Sequence, residues 1–482
     1  MSSAPDRKVS ETDLPPAVLV GVQLQGVSDD ALALSLAELE RLSATLGLRV
    51  IGRVTQKRRG LGAAHLLGEG KLRELARHTG GPGFVAGFSP SDSRTAAETE
   101  ESGRVPVEEA SVVEEENVEP GGDAKGGPKQ AVTVLVDQDL TPTQMRNLEK
   151  ATGVEVLDRS MVILSIFQRH ARTREARIQV EIARLVYLAP RLREAGADSE
   201  RQRGGVGGKG AGESALELGR RAARDRIAAL RRSLVVVQRE ADTQRSRRVG
   251  NSTQTVALVG YTNAGKSRLM RALTRDEMYV ADQLFATLDT TVRALVPETR
   301  PRTLMTDTVG FIKDLPHDLV ASFRSTLDEA RDAQLHLHIL DAADPAFRDQ
   351  YDVTREVLSD ICAEDHPRLL ILNKSDLLDD AERTALGQEF PEAVLMSAAS
   401  SQDVAALHGR IQDFFESSME EEDFVIPYDR QAKVALLHER CRVLEERYEE
   451  DGTHLRVRAP EATLGALRRE LQEEDQRASD EG

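Results

Sequence analysis

The run from Thr255 to Leu273 constrains this chain more than any other: an apolar TVALVG flows into the loop GYTNAGKS and then into RLMRAL. A short apolar run closed by glycine reads as a buried strand, and apolar residues at helical spacing follow the loop. The pattern G-x-x-x-x-G-K-S between a strand and a helix is a phosphate cradle. Gly260 and Gly265 let the loop wrap, so that the N–H groups of Tyr261, Thr262, Asn263 and Ala264 face phosphate oxygens beside a helix N-terminus. Lys266 reaches the β- and γ-phosphates, and the Ser267 hydroxyl is placed to ligate Mg²⁺. Such a unit buries its strand only inside an α/β layer.

Three more short motifs follow in order, each at the end of an apolar run. Asp307-Thr308-Val309-Gly310 closes RTLMT; Asp307 can hold Mg²⁺ directly or through water, and the Gly310 N–H can touch a γ-phosphate. Asn373-Lys374-Ser375-Asp376 closes RLLIL. The Asp376 carboxylate matches the N1–H and N2–H₂ edge of guanine, whereas adenine offers an acceptor at N1 and would leave a buried carboxylate unpaired. Met396-Ser397-Ala398 ends the strand AVLM and fits a backbone contact to guanine O6. Four weak motifs at four strand ends are strong together. They point to GTP as substrate, with Lys266, Gly310 and a switch threonine in catalytic roles.

That threonine lies in LFATLDTT, where Thr287, Thr290 and Thr291 compete and spacing does not choose among them. Where Ras-like enzymes carry a water-orienting Gln after D-x-x-G, this chain has Phe311, which can neither donate nor accept the needed bond. Slow intrinsic hydrolysis, stimulated by a partner, is the expectation. His336 and His338 alternate along LHLHILD and read as sheet-face residues; Gly68 to Lys71 reads as a turn before a helix.

Strands alternate with helices on both sides of this region, so the expected class is α/β and multidomain. Residues 1–15 read as a disordered tail and 16–158 as an N-terminal α/β domain, with strands at 17–24, 48–55, 132–137 and 154–157 and a helix starting at Ser28. An insertion at 89–130 carries eleven acidic and four basic side chains and is too polar to offset its ordering entropy. Residues 159–250 read as a long antiparallel helical hairpin with a glycine-rich tip at 204–212; residues 251–418 read as a Ras-like P-loop G domain. The run ESSMEEED reads as an acidic linker, and 419–482 as a small C-terminal α/β module with an acidic tail.

The net charge of −17 hides a basic block: residues 169–248 hold twenty basic and ten acidic side chains. A polyanion partner is open to that block, with Arg201, Arg203 and Lys209 at and beside the tip. Two cysteines, Cys362 and Cys441, exclude a disulfide framework and a cysteine-rich zinc site. No stretch approaches the roughly 18 apolar residues of a membrane span. The chain reads as a cytoplasmic monomer, with peripheral membrane association left open.

Several stretches make the resemblance specific: GRVTQKRR (52–59), LGEGKLREL (67–75), LTPTQMRNLEK (140–150), the segment 156–185, GGVGGKGAGES (204–214), GYTNAGKS, LFATLD and DTVGFI (307–312). Together they resemble the HflX family, within the Obg–HflX group of P-loop GTPases. The resemblance implies that Thr287 is the switch I threonine, a metal ligand with Ser267 and Asp307, and that Phe285, Ala286, Leu288 and Asp289 line the nucleotide. It also implies binding to the large ribosomal subunit and the splitting or rescue of stalled ribosomes. Ala211, Ala215 and Gly219 depart from the Pro, Gln and Asp usual in that family's glycine loop. Two rival readings remain. One is a GTP-dependent switch that recruits a protein or membrane partner without splitting ribosomes. The other is an ATP-driven RNA remodeller, with which Asp376 conflicts.

Overall fold

The computed structural model describes residues 14–62, 64–85, 130–202, 215–250, 253–275, 284–285, 291–313, 329–361 and 366–480. The acidic insertion, the N-terminal tail up to residue 13 and the glycine-rich tip lie outside the described residues. The chain divides into two compact units, Met1–Ile163 and Leu164–Gly482.

The first unit is a parallel four-stranded sheet in the order β2-β1-β3-β4. Its strands are β1 (Pro16–Leu24), β2 (Arg49–Arg58), β3 (Thr133–Val136) and β4 (Glu155–Asp158), connected by α1 (Asp29–Thr45), α2 (Glu69–Thr79) and α3 (Pro142–Thr152). Ser28 accepts the Ala31 N–H as the α1 cap, and Thr141 with Gln144 forms a reciprocal capping box on α3. Val18, Val20, Val134, Val136 and Leu148 are among the buried core, each such side chain contributing about 1.5–3 kcal/mol over exposure. The unit also holds a buried ionic cluster: Arg159 pairs with Glu38 of α1 and, at 2.9 Å, with Asp137 beyond β3, while Ser35 donates to Asp137.

Arg159 opens α4 (Arg159–His170), a helix whose later residues belong to the second unit. There α5 (Arg174–Gln202) and α6 (Ala215–Gly250) pack as a helical hairpin. Ile178 and Ile182 meet Leu230, with Leu185, Ile227, Leu234 and Val237 against them, an apolar stripe at helical spacing on each helix. Arg226 pairs with Glu181 across the same seam.

A six-stranded sheet follows in the order β10-β9-β8-β5-β7-β6. It comprises β5 (Gln254–Gly260), β6 (Thr291–Ala294), β7 (Thr303–Asp307), β8 (Leu335–Asp341), β9 (Arg368–Asn373) and β10 (Val394–Leu395). All pairings are parallel except β6 with β7. Among the described residues its helices are α7 (Lys266–Thr274), α8 (Phe347–Asp360), α9 (Asp380–Glu389) and α10 (Ser401–Glu416). Val256, Leu258, Leu337, Ile339 and Ile371 face Leu269 and Leu273 of α7 and Leu407 and Ile411 of α10. Ala257 and Val259 face Leu358 of α8. With both faces covered, the central strands read as unbroken apolar runs.

The remaining residues form an antiparallel sheet, order β11-β13-β12, from β11 (Glu420–Ile426), β12 (Arg442–Glu449) and β13 (Gly452–Ala459), with α11 (Ala432–Arg440) and α12 (Glu461–Asp480). The expected acidic linker is a strand over half its length. Three successive acids are paired: Glu421 with Arg458, Glu422 with Arg468 at 2.6 Å and Asp423 with Arg456 at 2.9 Å. The expected acidic tail is helix as far as Asp480. No helix among the described residues is long and apolar enough to cross a membrane.

Candidate functional site

The C-terminal ends of β5, β7, β9 and β10 are where the four motifs fall, at the reversal of strand order around β5. Gly260 ends β5 with φ +148, and a Cβ there would stand 2.2 Å from the Ile339 carbonyl. Gly265 has φ +94, and its missing Cβ would meet Asn373 Nδ2 at 2.2 Å. Asn263 takes the left-handed conformation between them, φ 61. These constraints curl the loop into the cradle that the glycine spacing predicts.

Lys266 opens α7 with its ammonium turned back over the loop, donating to the Gly260 carbonyl at 2.9 Å and the Tyr261 carbonyl at 2.7 Å. Burial pulls its pKa down to about 8, against an opposing pull from Asp307. Gly310 keeps the space beside it open: a Cβ there would stand 3.1 Å from Lys266 Nζ and 2.8 Å from Thr262 Cγ2. Thr262 Oγ1 is buried without a hydrogen-bond partner among the described residues. Ser267 Oγ donates to Asp307 Oδ2 at 2.9 Å, which brings two hard oxygen donors together at the start of α7. Thr308 is fully buried and donates to the Leu258 carbonyl, and Val309 is buried beside it.

At the other end, Asn373 Nδ2 donates to the Ala264 carbonyl at 2.8 Å, and its Oδ1 accepts the Ala398 N–H at 2.9 Å. Lys374, with φ 64, pairs with Asp341 at 2.6 Å. The Ser375 N–H donates to the Met396 carbonyl, and the Ser397 N–H to Asp403 Oδ2 at 2.8 Å. Asp376 is exposed, not buried as the guanine argument pictured it; a hydrogen bond from Ser397 holds its carboxyl below the usual range. The bound base itself would have to exclude water from that carboxylate.

Phe285 is buried, and its ring meets Phe167 of α4 edge-on, with centroids 4.6 Å apart. Ala286, Thr287, Leu288, Asp289 and Thr290 lie outside the described residues, while Thr291 starts β6 opposite Asp307. Phe311 is core: its ring packs with Ala257, Val259, Ala330 and Leu358, and its backbone pairs with Gly260 and Thr262. His336 and His338 are sheet-face residues, as expected. His336 stacks on His366, and His338 is driven down to about 3 by burial, so it is neutral. Sequence reasoning passed over Asp341, Asp403 and Phe167. Asp341 had a signal, since it closes the strand LHLHILD; nothing local marks Phe167.

Three family models match in series. The one described as GTP-binding GTPase N-terminal covers residues 33–82 and 123–168. GTP-binding GTPase Middle Region covers 170–248, and 50S ribosome-binding GTPase covers 255–374. The GTPase HflX of Gluconacetobacter diazotrophicus is 52% identical over 461 residues, which is 95% of this chain and 98% of that one. That of Caldanaerobacter subterraneus is 38% identical over 423 residues, 88% of this chain and 87% of its own. The Escherichia coli protein is 40% identical over 333 residues, 68% and 78%. A cradle built from Lys266, Asp307 and Asn373, and a relative matched almost end to end, lead to one assignment: the chain belongs to the HflX family of GTPases.

Proposed function

We propose that the chain is a Mg²⁺-dependent GTPase that docks on the large ribosomal subunit through its basic hairpin and dissociates or rescues stalled ribosomes. The observation that carries the nucleotide reading is Asn373, which bonds both the phosphate loop at Ala264 and the base-side loop at Ala398. In this reading the loop N–H groups and Lys266 hold the phosphates, Asp376 reads guanine, and Gly310 senses the γ-phosphate. Ser267, Thr287 and Asp307 (through water) would hold Mg²⁺, which when bound offsets charge on the phosphates. The paired oxygens of Ser267 and Asp307 suit such a hard cation.

Phe311 is committed to the core, so the chain has no water-orienting group at that position. Turnover therefore depends on ordering from outside, by a ribosomal partner. Support for that partner comes from the family model described as 50S ribosome-binding GTPase and from the net positive block at 169–248. The proposed domain organisation is an α/β domain at 16–158, a hairpin at 159–250, a G domain at 251–418 and a C-terminal module beyond, in a cytoplasmic monomer.

Sedimentation with large ribosomal subunits, with and without a non-hydrolysable GTP analogue, tests the reading. Binding should favour the triphosphate state and weaken steeply with salt through counterion release. Reversing Arg201, Arg203 and Lys209 to Glu should weaken it while leaving GTP affinity near wild type. Equal cosedimentation of that variant would remove the hairpin as the docking element. No subunit binding in any nucleotide state would favour the switch that recruits another partner.

A further inference from the structure

We infer that Arg383 is a positioning residue for base selection: its guanidinium holds the peptide between Ser375 and Asp376 and so sets where the guanine-reading carboxylate stands. The inference rests on the proposed role of Asp376.

Asp376 is exposed, so water competes for every hydrogen bond it offers a base. A carboxylate in that setting discriminates well when its place is fixed before the base arrives. It belongs to a 3₁₀ turn of three residues, Ser375–Leu377, a form whose own hydrogen bonds are poorly aligned. The chain enters the turn through Lys374, whose φ of 64 is left-handed backbone that persists where neighbours over-determine it. On that side the neighbours are Asp341 of β8, paired with Lys374 at 2.6 Å, and the Met396 carbonyl, which takes the Ser375 N–H.

On the exit side the hold comes from α9. Its start is rigid: Asp379 accepts the Glu382 N–H at 2.8 Å, and the Glu382 carboxylate accepts the Asp379 N–H at 2.9 Å. The Arg383 N–H closes the first helical turn on the Asp379 carbonyl at 3.0 Å. Helical side chains lean toward the N-terminus, which sends this one back over the cap. Its Nε donates to the Ser375 carbonyl at 3.0 Å, and Asp380 stands 3.6 Å from Nη1 of the same group.

The Ser375 carbonyl and the Asp376 N–H lie in one rigid peptide plane. Fixing that carbonyl therefore fixes the bond from which the Asp376 side chain departs. A hydrogen bond from Ser397 leads the groups that hold the Asp376 carboxyl below its usual range, and the Arg383 charge adds to it.

The test compares Arg383→Met, Arg383→Gln and Asp376→Ala with wild type in the full chain, with thermal melts on each. The readout is the ratio of affinities for GDP and IDP. Inosine lacks the 2-amino group that guanine offers Asp376, so the ratio reports the aim of that carboxylate, which a loss of overall stability would leave alone. Methionine fills the space of the arginine stem with neither donor nor charge. Glutamine is uncharged but carries its amide nitrogen as many bonds from Cα as the arginine Nε. Arg383→Met should lower the ratio roughly tenfold, and Arg383→Gln should bring it back to within about threefold of wild type. A wild-type ratio in Arg383→Met, beside a collapsed ratio in Asp376→Ala, would overturn the inference and leave the guanine reading standing. A glutamine variant as poor as the methionine one would trace the effect to charge and overturn the hydrogen bond as its cause. An intact ratio in Asp376→Ala would sink the guanine reading and this inference with it.

Discussion

Asn373 Nδ2 lies 2.8 Å from the carbonyl oxygen of Ala264, so the base-recognition loop is bonded directly to the phosphate loop. Its Oδ1 also takes the Ala398 N–H. One buried amide therefore sets the spacing between the groups that hold phosphate and those that face the base.

Replacing Asn373 with alanine leaves a carbonyl and an N–H without their partner, at about 1–3 kcal/mol for each buried group. GDP affinity should fall at least tenfold, with a lower melting temperature (an order-of-magnitude expectation at ~1.4 kcal/mol per factor of ten). Nucleotide titration and thermal melts measure the two effects. Unchanged GDP binding in a folded variant would show that the tie is dispensable.

Asp376→Asn reverses the hydrogen-bond sense presented to the guanine N1–H and N2–H₂. GTP affinity should drop by roughly 100-fold or more, and xanthosine nucleotides should bind better than to wild type. Competition against a fluorescent GDP derivative reads both changes. A wild-type protein that binds ATP and GTP equally at this site would end the argument.

Burial holds Lys266 at about 8, well below the 10.5 of a free lysine. Between those two values the unfolded chain binds more protons than the folded one, so this residue's contribution to stability rises with pH across that window. Below about 8 both states are protonated and the burial penalty is constant. Phosphates favour the ammonium form, so nucleotide binding near pH 8.5 should take up a proton. Calorimetry in two buffers of different ionisation enthalpy measures it. Zero proton uptake would show that the lysine is already fully charged there.

Phe311→Ala removes a ring from the cluster of Ala257, Val259, Ala330 and Leu358 and should cost about 3–5 kcal/mol. Phe311→Leu fills most of that space and should leave basal turnover within about threefold, because the ring does no proton chemistry. Urea melts and single-turnover cleavage separate the effects. A stable leucine variant with abolished turnover would give the ring a direct role.

In the first unit, Arg159→Met strands Glu38 and Asp137 without their cation. The loss should be about 3–5 kcal/mol, and changing both acids to their amides as well should recover part of it. Equilibrium unfolding of the single and triple variants decides this; equal stability of the single variant and wild type would contradict it.

The motifs were legible because each couples a local pattern to a local need. Gly260 and Gly265 sit where a Cβ would strike the chain, and TVALVG is apolar because both faces of β5 are covered. What stayed hidden depends on partners distant in sequence. Glu421, Glu422 and Asp423 read as solvated because Arg458, Arg468 and Arg456 arrive more than thirty residues later. The short edge strand β6 has four residues, Thr291–Ala294, too few to show an alternation. Asp376 looked buried because its chemistry requires dryness, yet water reaches it in this structure. Phe167 reads as one more apolar residue of a helix until Phe285 is set against it.

Lys266 has three N–H donors, and two of them are already spent on the carbonyls of Gly260 and Tyr261. A free lysine side chain carries about 2 kcal/mol of rotamer entropy, most of which this one has surrendered before any phosphate arrives. The third donor is therefore an aimed group and not a searching one. An arginine in its place would bring a planar fork that cannot straddle the same two carbonyls, so charge alone would not restore the site.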